Sequence, residues 1–166
     1  GPRPGARGGP REGREMATEG PPQGTAGAPE EVDSSIDSLA SALDLLLLRI
    51  PGARVVALCT SEGDNIARTC LAAEDEPLAD VAGGPMTTAF AASVGQLSRL
   101  GMGEPLNMIS WVGNHILAQY ALPASVLSIV AEKTCNLGIL QLRTRNAMET
   151  LTNLCRALHN APPSAA

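Results

Sequence analysis

The sequence is poor in aromatic residues, with one Phe, one Tyr and one Trp in 166 residues. Only Phe90, Tyr120 and Trp111 could stack on nucleic-acid bases, and no basic stripe surrounds them. Proteins that bind single-stranded nucleic acid combine such aromatic platforms with a positively charged groove. We therefore do not expect a nucleic acid as the partner.

Long apolar runs are also missing from the sequence. No run approaches the roughly 18 consecutive apolar residues that a membrane-spanning helix requires, and no cationic and then apolar signal peptide opens the chain. The chain opens on Gly1, and Met16 is a candidate for the natural first residue. We expect a soluble, cytosolic protein without direct membrane insertion.

Metal-binding and redox motifs are lacking as well. The four cysteines are widely spaced, at positions 59, 70, 135 and 155, and neither His115 nor His159 lies a few residues from one of them. This spacing does not fit a zinc knuckle, and the acidic residues lack the pattern of a calcium loop, so no metal and no cofactor are expected. The carboxylates that cluster between Glu74 and Asp80 are typical of solvated surface.

The composition divides the chain into a tail and a domain. Residues 1–29 are rich in Gly and Pro and contain no Ile, Leu, Val or aromatic residue, which predicts disorder. Residues 30–160 hold nearly all the large apolar residues and carry a net negative charge, so they form one domain with its own core. Residues 161–166 form a second short disordered tail.

Hydrophobic periodicity predicts the order α-β-β-α-β-β-β-α within this domain. Apolar residues recur at helical spacing from Val32 to Ile50 and predict a first helix with Asp33 or Ser34 as its N-cap, ended by Pro51 and Gly52. The second helix is predicted from Pro85 to Leu100. The last helix starts at Leu137, capped by Asn136. The five strands are joined by short turns, which makes them antiparallel. The predicted fold is therefore α+β, with a single five-stranded antiparallel sheet and helices on both faces.

The corner between the last strand and the last helix, "VAEKTCNLGILQLR", holds residue types that occur in chemical sites. Lys133 and Thr134 have no upstream glycine, so a phosphate loop is not indicated. Cys135 stands at a helix start, where thiols are activated, but no histidine is obviously placed to serve as its base. A small thiol-dependent enzyme using Cys135 is kept as the alternative from another class. The favoured interpretation is a bend in which Gly138 permits close packing of the helix.

Apolar and small side chains on the second helix and the third strand indicate a protein partner instead. A domain of this size is not expected to bury all of its large apolar side chains. The side chains that could remain exposed as a group are Phe90, Val94 and Trp111. An edge strand with unpaired backbone groups invites pairing with a second sheet.

Three strings carry a family resemblance: "GPMTTAFAASVGQLSRLGMGEPLNMISW", "HILAQYALP" and "SIVAEKTCNLGILQL". Over about residues 36–158 the chain resembles the roadblock family of dynein-light-chain-like domains. Within that family it is most similar to the MEK partner one group of the Ragulator scaffold. The Gly/Pro-rich tail and the loop "AAEDEP" depart from typical members.

The resemblance implies a non-enzymatic adaptor that forms a heterodimer with a second roadblock-family subunit. It further implies tethering to late endosomes or lysosomes through a larger lipidated scaffold subunit, with Rag GTPases, TOR signalling and MAP kinase components as associated functions. Family dimers join through the second helix and the third strand. The residues that this implies at the partner interface are Thr88, Ala91, Ala92, Gly95, Ile109, Ser110 and Trp111. A dynein light chain or a regulator of small GTPases is the alternative within the same fold.

Overall fold

The computed structural model describes the backbone of residues 28–160 and the side chains of residues 34–160. Its elements follow the predicted order. They are α1 (Ala28–Arg49), β1 (Ala53–Thr60), β2 (Asn65–Cys70), α2 (Glu76–Arg99), β3 (Asn107–Val112), β4 (His115–Leu122), β5 (Ser125–Glu132) and α3 (Leu137–Asn160), with a single 3₁₀ turn at Ala73–Asp75 before α2. The predicted α+β class is confirmed. The predicted tails are residues 1–29 and 161–166; both lie outside the described residues except for Ala28 and Pro29, which open α1.

The five strands form one sheet in the order β2-β1-β5-β4-β3, and every neighbouring pair is antiparallel. The β3–β4 hairpin turns at Gly113, whose φ of +60° is a conformation that glycine adopts without strain. The β1–β2 hairpin contains Gly63 at a φ of +96°. Both turns are short, and the two predicted hairpins, β1–β2 and β3–β4, are confirmed.

Helices cover both faces of the sheet, as predicted. The antiparallel pair α1 and α3 packs on one face, where Leu43, Leu127 and Leu151 belong to the larger apolar core. The other face is covered by α2, whose Ala79 and Ala82 pack with Val55 and Val130 in a smaller apolar cluster. Successive strand residues alternate between these two cores, because side chains in a strand point alternately to opposite faces.

The first helix begins earlier than the sequence predicted. It starts at Ala28, so Asp33 and Ser34 lie inside the helix and do not cap it. Pro29 is the second residue of α1. Backbone N–H groups in the first turn of a helix have no intrahelical acceptor, so a proline there breaks no hydrogen bond. The proline is thus compatible with the first turn.

The second helix also begins earlier, at Glu76, and the prediction that it starts at Pro85 is wrong. Pro77 occupies the start of α2 instead, and Pro85 lies inside it. Pro85 has no backbone N–H to donate to the carbonyl of Val81, so α2 lacks that one intrahelical hydrogen bond. Gly83 and Gly84 are also inside the helix. A Cβ at Gly83 would meet the sulfur of Cys59 at 3.2 Å, whereas a Cβ at Gly84 would meet no atom within 4 Å.

The third helix begins where the sequence placed it. The side-chain Oδ1 of Asn136 accepts a hydrogen bond from the backbone N–H of Ile139 at 3.1 Å, which confirms the predicted cap. Within residues 28–160, none of the three helices combines the length and the apolar character needed to cross a membrane.

Candidate partner interface

The outward face of α2 carries small, uncharged side chains. Thr88, Ala92 and Gly95 are exposed and Ala91 is half-buried. No Asp, Glu, Lys or Arg occurs from Val81 to Ser98, although an exposed helix face normally carries charged residues. A Cβ added at Gly95 would contact no other atom within 4 Å, so the helix is open to close approach there.

Thr88 is partly engaged by its own chain. Its hydroxyl lies 3.2 Å from the carbonyl of Gly84 and 3.3 Å from the carbonyl of Glu62, in the β1–β2 turn. Thr88 therefore connects α2 to that turn, while Ala92 and Gly95 remain free of such contacts.

The second half of the predicted interface lies on β3, an edge strand of the sheet. Ser110 pairs with Leu117 and lies on the α2 side, whereas Ile109 pairs with Ala118 and packs half-buried against the larger core. Trp111 is 60% exposed. Among the described strands, β3 pairs only with β4, so its second edge is open. Such an edge presents backbone donors and acceptors to another strand.

The segment between α2 and β3 adds apolar residues that the sequence reading missed. Leu100, Met102 and Leu106 are each more than 70% exposed. The outward face of α2, the exposed start of the following segment and the open edge of β3 are here called the α2–β3 surface. Its members are Val81, Ala92, Gly95, Leu100, Met102, Trp111 and Val112. Val112 is on the α2 side of β3, whereas Trp111 shares the opposite face with Ile109, and Leu106 lies beside α3 instead. The signal that could have revealed this surface is the lack of charge, since Arg99 and Glu104 are the only charged Asp, Glu, Lys or Arg residues from Val81 to Ala131.

A small cavity joins the two parts of this surface. It has a volume of about 100 Å³ and lies between α2 and the sheet, with Val81 and Met86 on one side and Val112, His115 and Leu117 on the other. Phe90, which the sequence reading assigned to an incompletely covered stripe, is buried and unavailable to a partner. Residues of α2 and the end of β3 thus line the same cavity.

Ion pairs fix the start of α2 on the sheet. The guanidinium of Arg54, on β1, lies 2.9 Å from the carboxylate of Asp75, whose side chain is 3% exposed. The hydrogen bond with Asp75 raises the pKa of Arg54 above its ordinary value. On β2, Arg68 lies 2.9 Å from the carboxylate of Glu76 and also pairs with Asp80. The expectation that these carboxylates are solvated is therefore wrong for Asp75, which is buried, whereas Glu74, Glu76 and Asp80 are exposed and form ion pairs at the surface.

A buried amide supplies a further attachment in the middle of α2. The side chain of Gln119, on β4, is fully buried and donates a hydrogen bond to the carbonyl of Met86 at 3.0 Å. Met86 follows Pro85, so this contact secures the helix immediately after its interior proline. Buried polar contacts thus hold α2 in one position.

The corner at residues 133–136 is a capped turn. The N–H of Lys133 donates to Asn114 and the N–H of Cys135 donates to Glu132, so the chain uses both amides internally. Burial raises the pKa of the Cys135 thiol, and the nearby Glu132 carboxylate raises it further. An activated nucleophile needs the opposite shift. A Cβ at Gly138 would meet Oδ1 of Asn136 at 3.2 Å, so Gly138 leaves room for the cap and does not serve close packing on a strand.

No group of three or more His, Cys, Asp or Glu side chains within the described part of the chain could hold a metal ion. His115 lies at the cavity under α2, and His159 lines a separate groove near the end of α3. The histidines therefore occupy different places in the fold.

Several solved structures share this fold. Myxococcus xanthus MglB matches with a TM-score of 0.63 and 21% identity, over 74% of this chain and 91% of that one. A structure described as MglB with tetrameric arrangement matches with a TM-score of 0.67 and 20% identity, over 75% and 93% of the two chains. The Roadblock/LC7 domain from Streptomyces avermitilis matches with a TM-score of 0.62 and 13% identity, over 70% of this chain and 97% of that one. These likenesses establish the roadblock-type fold.

A comparison with curated protein sequences finds no match. The family described as "Mitogen-activated protein kinase kinase 1 interacting" matches residues 37–157, which is nearly all of the folded domain. The roadblock-type fold and this family together indicate an adaptor or scaffold related to MAP kinase signalling. The chain belongs to the mitogen-activated protein kinase kinase 1 interacting family of roadblock-type domains.

Proposed function

We propose that this protein is a non-enzymatic adaptor that forms a heterodimer with a second roadblock-family subunit through the α2–β3 surface. The main support for this proposal is the outward face of α2, which carries no charged residue. This face lies beside an edge strand that has exposed apolar neighbours. Exposed apolar patches rimmed by polar residues are typical of protein interfaces. A partner's helix could lie against Ala92 and Gly95 while a partner's strand pairs with β3.

The open edge explains why a roadblock-type subunit is the expected partner. A second sheet that adds its own edge strand to β3 would satisfy the backbone groups that β3 leaves unpaired. The seven interface residues taken from the family resemblance then divide into three groups. Ala91, Ala92 and Gly95 allow close helix approach, and Ser110 and Trp111 flank the paired strands. Thr88 and Ile109 serve mainly to hold α2 and β3 in place within this chain.

The proposed cellular role follows the Ragulator-like members of the family. The dimer would join a larger lipidated scaffold subunit and take a peripheral place on the cytosolic face of late endosomes or lysosomes. There it would support Rag GTPase and TOR signalling and position MAP kinase components. The family description names an interaction with mitogen-activated protein kinase kinase 1, which supports the MAP kinase part of this proposal.

The test compares the tagged wild-type chain with two alanine-to-arginine variants expressed in cells. Ala92→Arg places a charge in the proposed interface, whereas Ala157→Arg makes the same change at an exposed position of α3. We expect wild type and Ala157→Arg to co-purify a second roadblock subunit and a lipidated scaffold and to localise to late endosomes. Ala92→Arg should lose both properties. Retention of the second subunit by Ala92→Arg would contradict the proposed interface, and purification of every form without one would contradict the adaptor role.

A further inference from the structure

A groove lies between α3 and the start of β3, on the face of the sheet opposite α2. It has a volume of about 430 Å³, and its rim includes the exposed residues Leu106 and Gln141. Small-molecule sites in proteins commonly have volumes of about 300–1,000 Å³. The groove is therefore large enough to hold a small organic ligand.

Aliphatic side chains form the two walls of the groove. Leu106, before β3, is 80% exposed, and Leu142, on α3, is 45% exposed. Met148 is half-buried on the α3 wall, and the buried Tyr120 forms the floor. Methionine is flexible and adapts to irregular contacts. An aliphatic chain laid in the groove would remove the exposed parts of both leucines from water.

Polar side chains at the rim of the groove are free to bind a ligand. Asn107, Gln141 and Arg145 are exposed, and within residues 34–160 their side chains form no hydrogen bond and no ion pair. Arg145 is the only charged residue among those that line the groove. A guanidinium and two amides supply the N–H donors that a carboxylate prefers.

The arginines on the α2 side of the sheet are engaged differently. Arg54 and Arg68 each pair with carboxylates of their own chain. Glu149 lies one turn after Arg145 on α3, but the two side chains form no ion pair. The charge of Arg145 is therefore available to an anion from outside the chain, although the chain as a whole carries a net charge of -5.

We infer that this groove binds a small carboxylate with an aliphatic body, such as a medium-chain fatty acid. The carboxylate accepts hydrogen bonds from the guanidinium of Arg145 and the amide of Gln141. The aliphatic body lies over Tyr120, between Leu106 and Leu142. Arginine suits this role because its planar guanidinium pairs with a carboxylate through two hydrogen bonds. A cation with the same aliphatic body is rejected, because it would meet Arg145 without a partner for its own charge.

The experiment titrates the isotope-labelled full chain with sodium decanoate, at concentrations below those at which decanoate forms micelles. Nuclear magnetic resonance locates the site, and calorimetry measures the affinity. Decyltrimethylammonium, which has the same alkyl chain and the opposite charge, is the matched ligand. The location is needed because the exposed apolar residues of the α2–β3 surface could also attract an alkyl chain.

The chain variants are matched on α3. Arg145→Gln removes the charge from the groove, and Arg143→Gln makes the same change two residues earlier, where the side chain lines a different groove, against α1. Both arginines are exposed and have no ion pair within residues 34–160, so both variants should fold. Circular dichroism checks that they do.

We expect decanoate to bind wild type and Arg143→Gln alike, with the largest resonance shifts at Asn107, Gln141 and Leu142. The affinity for Arg145→Gln should fall about tenfold, because one charge-assisted contact is lost. Decyltrimethylammonium should leave these resonances unchanged. The inference is overturned by equal binding of the two ligands, by equal losses in the two variants, by shifts confined to the α2–β3 surface, or by no binding at all. Because the groove lies outside the α2–β3 surface, each of these results leaves the proposed heterodimer standing.

Discussion

The carboxylate of Asp75 is buried beneath the guanidinium of Arg54, 2.9 Å away, and this contact joins β1 to the residue before α2. Asp75 also accepts a hydrogen bond from the backbone N–H of Ala72 at 3.2 Å. The pair therefore determines where α2 begins and how it lies on the sheet.

Arg54→Met should lower the melting temperature clearly, because it leaves the buried Asp75 carboxylate without its cation. The matched change Arg68→Met should have a smaller effect, since its partners Glu76 and Asp80 are exposed and solvated. Differential scanning calorimetry of both variants measures the difference. A larger loss for Arg68→Met would show that the Arg54 pair does not fix the helix.

Gly63→Ala tests how closely α2 approaches the β1–β2 turn. The added Cβ would lie 2.9 Å from the carbonyl of Gly84 and 3.0 Å from the hydroxyl of Thr88, and residue 63 has a positive φ. Gly101→Ala also strains a positive φ but meets no atom within 4 Å, so it isolates the backbone cost of about 1–2 kcal/mol. Urea unfolding should show a larger loss for Gly63→Ala. Equal losses would mean that the turn and the helix are not tightly packed.

Asn136→Ala should destabilise the domain by about 1 kcal/mol, because it removes the cap of α3. Asn136→Asp retains an acceptor for the Ile139 N–H and should stay close to wild type. Chemical unfolding monitored by circular dichroism compares the two. A similar loss in both variants would indicate that the side-chain cap is not the stabilising feature.

Alkaline pH should destabilise the fold through the buried thiol of Cys59. Burial raises the pKa of Cys59 above the ordinary thiol value of 9.0. A raised pKa in the folded state means that the unfolded chain loses its proton first. The corresponding stability is fully present below about pH 9 and is lost as the pH rises through the pKa of the folded state, by up to about 1.4 kcal/mol per pH unit for one thiol.

Urea unfolding of wild type and Cys59→Ala across this alkaline range measures the contribution. Cys59→Ala should be less stable than wild type at neutral pH, because it leaves a small cavity under α2. Its stability should then decline less steeply as the pH rises, while Cys155 and Tyr120, whose pKa values burial also raises, contribute to both proteins. Parallel declines would exclude Cys59 as a source of the pH dependence.

The fold was largely predictable because its strands and turns are local features. The alternation within β3 and β4 and the glycine at the turn between them depend only on neighbouring residues. The start of α2 was not predictable in this way. Gly83, Gly84 and Pro85 disfavour a helix interior, and only the contacts beneath them, with Cys59 and with Gly63, show why the helix continues.

The candidate interface was only partly predictable for the same reason. Residue type identified Ala92, Gly95 and Trp111, all of which are exposed. Whether Phe90 and Ile109 face a partner or the core depends on the direction of each side chain, which the three-dimensional packing sets. Asp75 was assigned to solvent because its partner Arg54 lies 21 residues earlier in the chain.

Native mass spectrometry of the tagged chain recovered from cells tests the central claim most directly. Wild type and Ala157→Arg should each appear in a complex that contains one further roadblock-family subunit, and Ala92→Arg should appear as the chain alone. The same complex in all three samples would show that α2 is not the dimer surface. A single unpaired chain in all three would contradict the adaptor account itself.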